Sequence, residues 1–319
     1  MKILPKIATS AALAVSATLV LADDYPSRPI ELIVPYQAGG LSDAMARKVA
    51  AGMSEALPNS PEVVVINKPG GAATIGLTSL SKADPDGYTI AFTTSSPIAI
   101  QPHYGKVAYT ADSFVPVAKV TEIPASFNVH KDSDIKSVED LAAWAKENPG
   151  KFTYASTGGL GSGTHLAAED FAEALGIEIR HVPFEGTAAM TSALAGKQIM
   201  GTMQSPDLHR GGNARPLVYL TNLKLANPAY DDTPTATEMG LGVSTSFFTG
   251  FIAPAGTAQD RADMLADVIQ AAVESDDFVE WLAKTNFPLD YQGPEAFAEL
   301  LNDMSARSRE QLAAMGLID

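Results

Sequence analysis

The sequence predicts an α/β protein built as two domains with a ligand cleft between them. Three observations carry that reading. Short β-branched runs alternate with helical patterns from residue 30 onward. Two of the run-to-helix junctions are rich in glycine and hydroxyl side chains. The chain has 319 residues, 46% of them hydrophobic, which is enough for two cores of ordinary size.

Ile30-Glu31-Leu32-Ile33-Val34-Pro35 reads as a buried strand. Tyr36-Gln37-Ala38-Gly39-Gly40-Leu41-Ser42-Asp43 follows, with Ser42 or Asp43 expected to cap a helix over 44–57. Met45, Val49, Met53 and Leu57 recur every four residues on its inner face. A strand over 63–66, a turn at Asn67-Lys68-Pro69-Gly70-Gly71 and a small-residue helix over 72–83 come next. Asp84-Pro85-Asp86-Gly87 turns the chain into a strand over 88–93, which ends in Thr94-Ser95-Ser96-Pro97. This βαβαβ order predicts a parallel sheet with helices on its faces.

Strands over 114–120 and 126–129 mark a crossing, and a second α/β unit begins near residue 123. It has a helix over 138–147 and strands over 152–155, 179–183, 199–203 and 217–220, with a helix over 188–195. Residues 247–253 are extended, helical patterning starts at Gln259, and Pro294 opens a last helix. The expected division is a leader over 1–22, a first domain over 23–122 with 252–319, and a second over 123–251.

The centre of the argument is Ala155-Ser156-Thr157-Gly158-Gly159-Leu160-Gly161-Ser162-Gly163-Thr164-His165. A strand leads in and a helix leads out. That layout leaves backbone N–H groups aimed at one spot, where an anion such as a carboxylate or phosphate fits. Ser156, Thr157, Ser162 and Thr164 add hydroxyls, and His165 falls in the first helical turn, within reach of the loop or ligand. The loop from Pro35 to Asp43 repeats the layout. Asp43 would sit badly against an anion and is better read as fixing the loop by accepting N–H bonds. Strand ends in open α/β sheets are where ligands lie, so two such ends facing each other make a cleft.

Composition excludes several classes. A formal charge of −15 argues against nucleic acid and anionic membrane surfaces, and it makes any anion site depend on local donors. With no cysteine there is neither a disulfide framework nor a thiolate metal site. Residues 158–165 have phosphate-loop length, but Thr164-His165 stands where Lys-Ser/Thr is required. Neither Ser156 nor Ser162 has nucleophile-elbow glycines, and the five histidines lack metal-motif spacing, so they read as scattered residues. No cofactor is implied.

Lys2 and Lys6 precede an apolar run over 7–21 that ends in Val20-Leu21-Ala22. This is secretory-leader composition, with cleavage expected after Ala22 and export of the mature chain. At about 15 residues the run falls short of the roughly 20 that span a bilayer, so the mature form is expected not to insert.

Motifs spread along the chain then give a family resemblance. They are Tyr25-Pro26-Ser27-Arg28-Pro29-Ile30, Val34-Pro35-Tyr36-Gln37-Ala38-Gly39-Gly40 with Asp43, Asn67-Lys68-Pro69-Gly70-Gly71 and Asp84-Pro85-Asp86-Gly87-Tyr88-Thr89. His181-Val182-Pro183-Phe184, Asp232-Thr233-Pro234-Thr235 and Ala253-Pro254-Ala255-Gly256-Thr257 complete the set. In order and spacing the chain resembles the substrate-binding proteins of the tripartite tricarboxylate transporter family, the Bug-type receptors. The resemblance implies a type II periplasmic binding protein fold, a two-domain clamp. It implies that Tyr36, Gln37, Ala38, Gly39, Gly40, Ser42 and Asp43 hold one ligand carboxylate together with Ser156, Thr157, Gly158, Gly161, Ser162, Thr164 and His165. Thr94, Ser95, Ser96, Gln204 and Ser205 lie at further strand ends and complete the pocket, with Phe184 and Phe248 beside it. Gln37, Glu185 and Gln204 depart from residues common in the family.

The expected function is capture of a small mono-, di- or tricarboxylate for membrane transporter subunits, with no bond made or broken. Two rivals share the cleft. One is a sensory receptor that hands its signal to another protein. The other is a hydrolase using Ser156 or Ser162 with His165.

Overall fold

The computed structural model describes residues 25–105, 107–156, 160–184, 187–204, 212–221, 223, 233–243, 247–285 and 287–319, and the expected leader lies outside them. In chain order the elements begin with β1 (Ile30–Val34), α1 (Leu41–Ala56), β2 (Val63–Asn67), α2 (Thr74–Leu80) and β3 (Thr89–Thr94). A π-helical turn (Ser96–Ile100) runs into α3 (Gln101–Tyr104), and a short 3-10 turn precedes β4 (Phe114–Ile123). Next come β5 (Ala125–His130), α4 (Val138–Glu147), β6 (Phe152–Ser156), α5 (Gly163–Leu175), β7 (Ile179–His181) and α6 (Thr187–Ala195). The chain closes with β8 (Gly201–Gln204), β9 (Ala214–Leu220), β10 (Phe247–Pro254), α7 (Gln259–Val273), α8 (Asp276–Ala283), β11 (Leu289–Gln292) and α9 (Pro294–Ala314).

Two sheets organise these elements. The first has the order β11-β4-β10-β3-β1-β2 and the second β7-β6-β8-β5-β9. In the first, β2, β1 and β3 are parallel, with Leu32 opposite Ile90 and Val65. Strand β10 then enters antiparallel between β3 and β4, with Phe251 opposite Phe92. The expected parallel βαβαβ unit is thus present, and β10, β4 and β11 extend it into a mixed sheet. The physical reason is connectivity: β10 reaches the sheet after the chain has passed through the second sheet, so no crossover helix sets its direction. The second sheet repeats the plan, with β7, β6 and β8 parallel and β5 antiparallel to β8 and β9.

Alternation along the strands gives each sheet two apolar faces. Ile30, Leu32 and Val34 pack with Met45, Val49 and Met53 of α1 and with Leu265 and Ile269 of α7. Ile33 and Ala91 point the other way, onto Leu77 and Leu80 of α2 and Phe297 and Leu301 of α9. In the second sheet Phe127, Tyr154 and Met203 pack with Phe171 of α5. Ala155 on the opposite face meets Met190, Ala193 and Leu194 of α6. A small cluster of Ile100, Leu166 and Leu312 joins α5 to α9.

Three local expectations are revised. The first helix begins at Leu41 with Gly40 as its N-cap, so Ser42 and Asp43 lie inside its first turn. The second helix is confined to Thr74–Leu80, because Ala72 and Ala73 continue the preceding turn in left-handed backbone, at φ 52° and 78°. The hydroxyl-rich tail of β3 is a π-helical turn, with Pro97 tolerated near its start where no intrahelical N–H bond is needed.

Candidate functional site

β1 delivers the first loop. Its last buried residues hand over to half-buried Tyr36 and then to exposed Gln37, Ala38, Gly39 and Gly40. Gly39 has φ +84°, a left-handed conformation that side-chain-bearing residues rarely adopt, and open space lies on the side where a Cβ would stand. The helix behind it starts without a side-chain cap, so its first N–H groups are not taken by a capping side chain.

Asp43 holds this loop from beneath. It is buried, and its Oδ2 accepts from Gly39 N–H at 2.9 Å and from Arg47 Nε at 3.0 Å. Its Oδ1 accepts from Asn67 Nδ2 at 2.8 Å, and Arg47 also donates to Asn67 Oδ1 at 2.9 Å. The Arg47 hydrogen bond is the main reason its carboxyl is held down at about 2. The acid is therefore ionised and already matched by a cation, which leaves the N–H groups above it with their partial positive charge. Asn67 Nδ2 also donates to Tyr36 O at 3.2 Å, and the Tyr36 hydroxyl lies 2.7 Å from Thr94 Oγ1. Burial pushes the Tyr36 phenol up to about 12, so it stays a neutral hydrogen-bonding group. The first loop is thereby tied to the end of β3, where Thr94 is half-buried, Ser95 is buried and Ser96 opens the π-helical turn.

β6 and α5 bracket the second loop. Thr157 and Gly158 lie outside the described residues, as do Ser205 and Glu185. Beyond the gap, Leu160 is exposed, and Ser162 caps α5 by accepting His165 N–H at 3.3 Å. Thr164 Oγ1 lies 3.2 Å from Ser162 Oγ. Gly161 N–H donates to His165 Nδ1 at 2.9 Å. His165 thus accepts from the loop backbone, and its ring proton is assigned to Nε2, 3.7 Å from Glu169 Oε1. Gly163 follows, and a Cβ there would meet Phe247 Cε1 at 2.2 Å and Ile100 Cδ1 at 3.2 Å. That close approach seats the start of α5 against the start of β10.

Sequence spacing did not reveal the partner of His165. Its ring stacks on His181 with centroids 4.2 Å apart, and His181 Nε2 lies 3.0 Å from Ser156 Oγ. The parallel register of β6 and β7 sets Tyr154 beside His181, and the Tyr154 hydroxyl donates to Glu169 at 2.6 Å. Only that register brings residues 165 and 181 together, and the sequence carries no mark of it. Ser156 therefore pairs with His181, not with His165. Of the other described histidines, His130 Nδ1 accepts from Asp132 N–H two residues on, and His103 Nε2 lies 2.8 Å from Ser305 Oγ of α9.

Burial first, and the neighbouring His181 second, lower the His165 pKa to about 4. Neutral His165 in the folded state gives a defined pH response. The unfolded chain takes up this proton near 6.5, so stability is complete above that value. It falls between 6.5 and 4 by up to about 3 kcal/mol and is flat below. Urea unfolding at pH 7.5, 5.5 and 4.5 should show this slope, and His165→Asn, which keeps an acceptor for Gly161, should remove most of it. Equal slopes in both proteins would refute the assignment.

Other expected residues are placed as follows. Gln204 ends β8 and is buried, while Phe184 is half-buried against the α6 cluster. Phe248 is fully buried, edge-to-face with Phe297, and belongs to the core of the first sheet. The structure thus forms two anchored clusters at strand ends. Tyr36, Asp43 and Thr94 gather on the first sheet, and Ser156, Gly161, Ser162, Thr164 and His165 on the second.

Comparison with known proteins gives relatives over most of the chain. Residues 45–317 fit the family model described as the tripartite tricarboxylate transporter family receptor. A UPF0065 protein of Bordetella pertussis is 30% identical over 321 residues, 99% of this chain and 98% of the relative. A TctC solute-binding protein from Polaromonas superposes with a TM-score of 0.79 at 28% identity, covering 91% of this chain and 99% of that one. An R. palustris protein solved with adipate superposes with a TM-score of 0.71 at 28% identity, covering 92% and 99%.

Proposed function

The chain belongs to the tripartite tricarboxylate transporter family of receptors, and we propose that it captures a small organic carboxylate in the periplasm and presents it to the membrane subunits of such a transporter. The observation that carries the proposal is the first loop. Its exposed glycines stand over an uncapped helix start, and the loop's own acid, Asp43, is buried and matched by Arg47. Such a site offers the first N–H groups of α1 to a ligand, which suits a carboxylate. The second loop adds the Ser162 and Thr164 hydroxyls at the start of α5. The adipate complex of an R. palustris relative supports the same ligand class.

The net charge of −15 repels anions at long range. Capture therefore rests on short charge-assisted hydrogen bonds in a cleft that excludes water. We assign the two sheets to two domains, with 1–22 removed as a leader after Ala22, and ligand capture to closure of one domain on the other.

Differential scanning fluorimetry of the mature protein against mono-, di- and tricarboxylates, sugars and nucleotides tests the proposal. A carboxylate at 100 times its Kd adds about 2.7 kcal/mol to folding and raises the Tm by several degrees. A rise with sugars or nucleotides alone would overturn it.

A further inference from the structure

We propose that the α6-facing side of the second sheet carries a subsite for a hydrogen-bond donor on the ligand, a hydroxyl or ammonium group, read by Gln204 with Asn128 and Thr202 behind it. The inference rests on the carboxylate reading above and narrows the ligand to a carboxylate that carries such a donor.

Strand register puts the residues together. Ser126 lies opposite Gln204, and Asn128 lies opposite Thr202, on the antiparallel pair β5 and β8. Residues opposite each other share a face, so these four side chains form a square over two rungs. The intervening Phe127 and Met203 belong to the core on the α5 side. Ala155, opposite Thr202 on β6, packs with Met190 of α6. The square therefore faces α6.

Its hydrogen bonding is lopsided. Asn128 Nδ2 donates to Ser126 O at 2.9 Å and Ser126 Oγ at 3.0 Å, with Thr202 O at 3.4 Å. Three oxygens around this nitrogen fix the amide orientation and turn Oδ1 away from them. Ser126 Oγ donates to Gln204 O at 3.1 Å. Asn128 Oδ1, Thr202 Oγ1 and Gln204 Oε1 are left buried with no hydrogen-bond partner among the described residues. All three side chains are at most 2% exposed. A buried acceptor without a donor is costly, and three within two rungs mark a place built to receive donors.

Chemistry and position select the guest. Two of the three orphans are amide oxygens, which accept only, and the square contains no cationic side chain. A second ionised carboxylate would face oxygen against oxygen there, whereas a hydroxyl or ammonium group supplies the missing protons. Gln204 is the last residue of β8, and the β6 residue level with its neighbour Met203 is Ser156, where the second loop begins. Adjacent strands lie about 4.8 Å apart, so one small ligand can reach both.

Isothermal titration calorimetry with matched pairs tests this: succinate against malate, succinate against aspartate, and glutarate against 2-hydroxyglutarate. The wild type is expected to bind a hydroxyl- or amino-bearing member at least tenfold tighter than its plain counterpart. Thr202→Val and Gln204→Met should erase the preference, bringing the two members of each pair to within threefold of each other. Gln204→Glu, nearly the same shape, should favour the amino member over the hydroxy member by about tenfold relative to the wild type, and circular dichroism checks that each variant folds. No preference in the wild type, or a preference retained in both loss variants, overturns the inference while leaving carboxylate capture intact. Binding of none of these acids overturns the carboxylate reading and this inference with it.

Discussion

Replacing Gly40 with leucine should lower carboxylate affinity about 100-fold, close to 2.7 kcal/mol, while leaving the fold in place. Gly40 is the right glycine to change. Its backbone is extended, at φ −80° and ψ 171°, and a Cβ there would have only Gln37 O near it, at 3.5 Å. Gly39 would confuse the test, because its positive φ adds strain to any replacement. The leucine side chain would cover the first N–H groups of α1, the donors assigned to the ligand. Glycine caps helices better than leucine does, so a loss of stability of about 1 kcal/mol is expected, a few degrees in Tm. Calorimetric titration beside a melting curve separates the two effects. Unchanged affinity in a folded variant would remove the first loop from the site.

Lys119→Met should destabilise the protein by about 3–5 kcal/mol without touching the site. Lys119 lies in the middle of β4, is 2% exposed and pairs with Asp290 of β11. Glu122, also buried, sits three residues on and is held by Thr221. Burial raises the Glu122 pKa, Lys119 lowers it and Asp290 raises it. Removing the cation takes away the charge that offsets both Asp290 and Glu122 and leaves their mutual repulsion in place. Chemical denaturation measures the loss, and a companion Asp290→Leu substitution should recover most of it. A single-variant loss below 1 kcal/mol would show that the pair is dispensable.

The strand-and-helix alternation is legible where strands such as Ile30–Val34 and Val63–Asn67 are rich in β-branched residues and helices such as α1 and α7 carry an apolar stripe. Val138–Glu147 was read to the residue, since Ser137 and Asp140 form a capping box and Asn148-Pro149-Gly150 stops the helix. The glycine-rich strand ends were equally visible, because glycine and hydroxyl residues cluster there. The antiparallel entry of β10 was not visible, as strand direction depends on the path through the second sheet. β11 escaped because four residues without a β-branched side chain carry no periodicity worth reading. The His165–His181 stack, the Lys119–Asp290 pair and the polar square on β5 and β8 all depend on register between distant segments. Patterning within one segment cannot encode that. Phe248 shows the reverse limit: an aromatic residue beside a suspected pocket looks the same in sequence whether it lines the pocket or fills the core.

β4 ends at Ile123, β5 begins at Ala125, and Pro124 alone separates the two sheets along this path. A proline ring holds φ near −65°, and the peptide planes on either side resist twisting. Few soft torsions remain at the joint, and the Glu122–Thr221 bond ties the second strand leaving the sheet to the same spot. A joint of this kind has very little orientational freedom to lose. The proposed closure would then run through a narrow set of poses along one swing, so that it would forfeit little entropy and leave more of each hydrogen bond to the ligand as affinity.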